Sequence, residues 1–133
     1  MRHLTRQFAV GALRRGNGIE QFLGGAQIDG EPVIRWVEIS PGDGRYRISV
    51  HTVQDPDDGQ VGDLPNLMSV DPVDEEYAGE GRELGVTEDE VEAMSLAERL
   101  AGARPDRWVN HAVVGEEYRD YVRSRREDVR TAT

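Results

Sequence analysis

Between Pro32 and Gln54, two runs of β-branched and aromatic residues flank the cluster Pro41-Gly42-Asp43-Gly44. This is the sequence form of a β-hairpin, and no other stretch constrains the fold as strongly. With residues 41–44 taken as a four-residue loop, Ser40 faces Arg45 and the register follows outward. Ile39 then opposes Tyr46, Val37 opposes Ile48, and Arg35 opposes Val50 on one largely apolar face. The other face sets Glu38 against Arg47, Trp36 against Ser49 and Ile34 against His51. An apolar face and a face with an opposite-charge pair both emerge from one count, as a real hairpin requires.

A hairpin alone is marginal, so the chain must supply further strands and a cover. Residues 1–15 fit a helix or a strand, and the sheet's need for partners favours a strand there. Asn17 and Glu20 have the spacing of an N-cap and its reciprocal partner, which predicts a short helical turn from Ile19 to Leu23, closed by Gly24-Gly25. Asp29-Gly30 is a turn. Residues 55–86 are rich in Pro, Gly and acid, with enough apolar groups (Leu64, Leu67, Met68, Val70) to predict a long connection lying against the sheet. Thr87-Glu88-Asp89-Glu90 forms a capping box ahead of the stripe Ala93, Leu96, Ala97 and Leu100, which predicts a helix over 87–101 stopped by Gly102. A strand over 107–114 and a helix over 116–126 follow, the latter with Tyr118, Tyr121 and Val122 inward. The expected architecture is α+β: an antiparallel sheet built on the 32–54 hairpin, with the helices 87–101 and 116–126 on one face. The 133 residues suit a single domain over 1–126 with a frayed tail over 127–133.

Charge narrows the function more than motifs do. Residues 55–103 carry fifteen acids against two arginines, a net charge of −13 within a chain of net −10. Such a block repels nucleic acid and anionic membranes and attracts a basic protein surface. No apolar run approaches the roughly 20 residues that span a bilayer. The chain has no cysteine, which excludes disulfides and thiolate metal sites and suits a reducing, cytoplasmic setting. All sixteen basic residues are arginine, a trait that coding composition explains without any function.

No catalytic constellation stands out. The histidines show neither His-x-x-x-His nor His-Glu-x-x-His spacing, so no metal or cofactor is assigned. Asp55-Pro56-Asp57-Asp58-Gly59 fails as a calcium loop, because glycine falls at position 5 and asparagine at position 12. It is expected to be a solvated acidic turn. The serines lack a nucleophile elbow. The arginines after Glu116 alternate with acids at helical spacing, as on a solvent face.

The sequence therefore predicts a non-enzymatic protein-binding module of immunity-protein or regulatory-adaptor type. Its 55–92 segment would dock a basic or mixed protein surface, with Asp57, Asp58, Asp74, Glu75 and Glu76 as contact residues. The competing expectation is a small enzyme or ligand-binding domain. There Arg35, placed on the apolar face, would hold an anion in a sheet–helix pocket with Trp36, His51, Trp108 and His111 around it.

Overall fold

The structure, a computed structural model, describes residues 2–58, 64 and 81–132, with side chains as far as 127. In chain order the elements are α1 (Arg6–Arg14), β1 (Ile19–Ile28), β2 (Glu31–Gly42), β3 (Arg45–Gln54), β4 (Arg82–Thr87), α2 (Glu90–Ala101), β5 (Val109–Asn110) and α3 (Val114–Ala132). The strands form one antiparallel sheet in the order β4-β3-β2-β1-β5. The α+β class and the central hairpin stand as the sequence predicts.

The hairpin turns more tightly than expected. Asp43 and Gly44 both adopt positive φ, 52° and 73°, and make a two-residue loop of the kind whose twist matches the flanking strands. Gly42 therefore faces Arg45, and Pro41 continues the strand opposite Tyr46. Proline is tolerated there because β1 extends only as far as Ile19, opposite Ile39. The register differs by two residues from the four-residue-loop count, so every side chain keeps its face while its partner changes. Trp36 lies opposite His51, and Glu38 opposite Ser49 rather than Arg47.

Both faces of β2 and β3 are covered. Val37, Ile39 and Ile48 pack with Ala9, Ala12 and Leu13 of α1 and with Ala93, Met94 and Ala97 of α2. On the reverse face, Ile34, Trp36 and Val53 pack with Val114, Tyr118 and Val122 of α3. The helices are thus divided between the two faces, α2 on one and α3 on the other, where the sequence placed both together. The near-continuous apolar run of β2 is the mark of a strand buried twice over.

Residues 6–14 are a helix where a strand was expected. The Thr5 hydroxyl accepts from the Phe8 N–H, and Ala9, Ala12 and Leu13 make the buried stripe while Phe8 points to solvent. The missing strand comes instead from β1, where a helical turn was expected. Gly24, at φ 97°, sits where the β1–β2 register shifts, so the glycine pair makes a bulge and not a helix stop. β4 emerges from the expected connection, and its last residue, Thr87, precedes the helix. The cap of α2 is Asp89, which accepts from the Glu92 N–H, and Gly102 closes that helix in the left-handed conformation. β5 is only two residues long. Trp108, just before it, is fully buried in the α1/α2 core.

Candidate functional site

The strand register brings together four polar side chains from distant parts of the chain. Glu20 of β1 and Glu38 of β2 are directly paired across the sheet, on the α3 face. His51, one row along on β3, places Nε2 3.3 Å from Glu38 Oε1. His111, in the turn after β5, places Nδ1 3.3 Å from Glu38 Oε2 and 3.8 Å from Glu20 Oε2. The His111 N–H donates to the Gly18 carbonyl, and Ala112 follows at φ 74°, a left-handed conformation that non-glycine residues rarely hold. That turn swings the chain into α3 so that the Val114 N–H donates to Glu20 Oε1 at 3.1 Å.

The carboxylates have unequal surroundings. Glu20 is 2% exposed, and burial raises its pKa against the opposing pull of the Val114 N–H and His111. Burial also works to raise that of Glu38, but the hydrogen bond and charge of His51, with His111 and Ser40, outweigh it and leave it lowered. His51 is itself locked by stacking on Trp36, with ring centroids 4.6 Å apart and planes 4° from parallel. Two like charges face each other across a strand pair here, an arrangement that needs a proton or a cation.

The residues expected to share a pocket are split by the sheet. Trp36, His51 and His111 belong to the α3 side. Arg35 alternates to the α1/α2 side, half-buried, opposite Thr52. Trp108 is core on that side too. A groove between β1, α3 and the loop after α2 is lined by Gln21, Phe22, Arg104, Arg107, Tyr121 and Arg125, and contains neither Arg35 nor a histidine.

A second polar node fastens the end of β3 to α3. Asp55 is buried; its Oδ1 accepts from the Tyr118 hydroxyl at 2.7 Å and the Asp57 N–H at 2.8 Å, and its Oδ2 accepts from Arg125 at 2.7 Å. Burial opposes its ionisation, yet Arg125, Tyr118 and the Asp57 N–H together hold its pKa below the ordinary value. The Asp55 turn is therefore a built junction and not a solvated loop. Arg125 leaves the expected solvent face of α3 to make it. Asp57 stays exposed but already pairs with Arg125 and Arg126, and the Asp58 N–H donates to the Tyr118 oxygen. Asp74, Glu75 and Glu76 lie outside the described residues.

The sequence gives no sign that Glu20 and Glu38 meet: Glu20 reads as the capping partner of Asn17 and Glu38 as the partner of Arg47 until β1 is paired with β2. Among the described residues no helix is long and apolar enough to cross a membrane. Compared with protein-family models, curated proteins and solved structures, the chain matches none of them.

Proposed function

We propose that the chain is a non-enzymatic protein-binding module of the cytoplasm that docks a basic or mixed protein surface through its acidic 55–92 segment. The observation that carries this is the make-up of the segment's described end. There Glu83, Glu88, Asp89 and Glu92 are exposed beside two apolar side chains, Val86 at 46% and Val91 at 36% exposure. Apolar anchors among like charges suit a partner with a basic rim. Among the described residues β4 is also an edge strand, the position at which a docking chain adds to a sheet. Arg35 lies on the opposite sheet face from both histidines, which favours the docking reading over an anion pocket.

The test is the salt dependence of the complex formed with the natural partner. Neutralising Asp57, Asp58, Asp74, Glu75 and Glu76 together is expected to weaken association and flatten its dependence on ionic strength. Unchanged binding to every natural partner would defeat the proposal.

A further inference from the structure

Each glutamate of the cross-strand pair commits one oxygen to the protein and turns the other toward the same point. Glu20 Oε1 accepts from the Val114 N–H, and Glu38 Oε1 is held by His51 Nε2. The second oxygens, Glu20 Oε2 and Glu38 Oε2, both face His111 Nδ1, at 3.8 and 3.3 Å. Three ligand atoms from these residues lie within 4.8 Å of one another. Around a tetrahedral ion with bonds of about 2.0–2.1 Å, neighbouring ligand atoms are roughly 3.3–3.4 Å apart, so small side-chain adjustments close the set on a cation.

Two further observations point the same way. Ser49, directly opposite Glu38 on the same face, has a fully buried hydroxyl with no hydrogen-bond partner among the described residues. It supplies a polar group beside the cluster that an ion's bound water would satisfy. The His51–Glu38 contact, braced by the Trp36 stack, is the kind of outer support that orients metal ligands. An imidazole ligand favours first-row transition metals over calcium or magnesium. His111 is 64% exposed, so an ion bound there is reached from solvent.

We infer that Glu20, Glu38 and His111 form a binding site for a divalent first-row transition-metal ion. Its ligands come from β1, β2 and the turn before α3, so occupancy ties the short β5 edge to the sheet centre. The site is independent of the acidic docking segment.

Zinc is the probe. Metal-free protein is titrated in competition with a chromogenic chelator, and melting is followed with and without zinc. The expected result is one tightly bound equivalent and a raised melting temperature. His111→Ala and Glu20→Gln should each bind at least about ten-fold more weakly and lose the thermal shift, while His3→Ala matches wild type. His111 is exposed, and the amide of Glu20→Gln keeps an oxygen for the Val114 N–H, so both variants are expected to fold, which circular dichroism checks. Zinc affinity unchanged in His111→Ala, or no stoichiometric zinc binding by the wild type, would overturn the assignment. Preference for calcium or magnesium over zinc would do the same.

Discussion

Glu20 and Glu38 stand directly opposite each other on neighbouring strands, and each turns a carboxylate oxygen toward His111. The strain of that pairing falls on Glu20, the more deeply buried of the two. Its pKa is raised in the fold, so folding favours its protonated form. Stability of the metal-free protein then declines as pH rises from the unfolded value through the folded one, and levels off above it. Glu20→Gln removes that decline. In the presence of chelator it is expected to stabilise the protein at pH 7 by up to about 1 kcal/mol, with less gain near pH 4. Urea unfolding at the two pH values measures this. A destabilised variant at pH 7 would contradict it.

The Asp55–Tyr118 contact behaves in the opposite sense. Asp55 has a lowered pKa, so its contribution is present above the ordinary aspartate value and is lost as pH falls through the folded one. Tyr118→Phe deletes the hydrogen bond to the buried carboxylate and is expected to cost about 1.5–3 kcal/mol at neutral pH. The difference from wild type should narrow in acid. Unfolding curves at pH 7 and pH 3 read both quantities.

Gly25 lies close under α3. A Cβ at this position would run into the Tyr121 hydroxyl oxygen, and Tyr121 is braced by Phe22 at a centroid distance of 5.2 Å. Gly25→Ala is expected to cost about 1–3 kcal/mol through overpacking. Adding Tyr121→Phe removes the clashing oxygen, so the double variant should recover part of that loss. Additive losses in a double-mutant cycle would show that the two positions do not meet.

The start of α2 separates two capping schemes. The Asp89 carboxylate accepts from the Glu92 N–H, whereas Thr87 accepts from the Asp89 N–H, ahead of the helix. Asp89→Ala should therefore cost about 1 kcal/mol, and Thr87→Ala less. Denaturant midpoints of the two variants decide between them.

These elements also show what the sequence makes legible. Counting outward from the turn assigns Val33 to Ile39 to their faces, because side chains repeat with a period of two and an error of two residues in the turn leaves each on the same side. The turn itself is concealed by Pro41 and Gly42, which look like loop residues and are strand. β1 is hidden by its glycines and by a helix-like cap at Asn17. The site is illegible for a deeper reason. Glu20, Glu38 and His111 meet only through the β2–β1–β5 order, and pairings between distant segments leave no local spacing to read.

The proposed docking role of the acidic segment is tested most directly by native mass spectrometry of the protein purified gently from its own cells at low salt. The predicted result is a heavier species carrying a second, basic protein, dissociating as salt is raised and absent when Asp57, Asp58, Asp74, Glu75 and Glu76 are neutralised. A bare monomer at low salt, or a complex indifferent to both salt and those substitutions, would contradict the account.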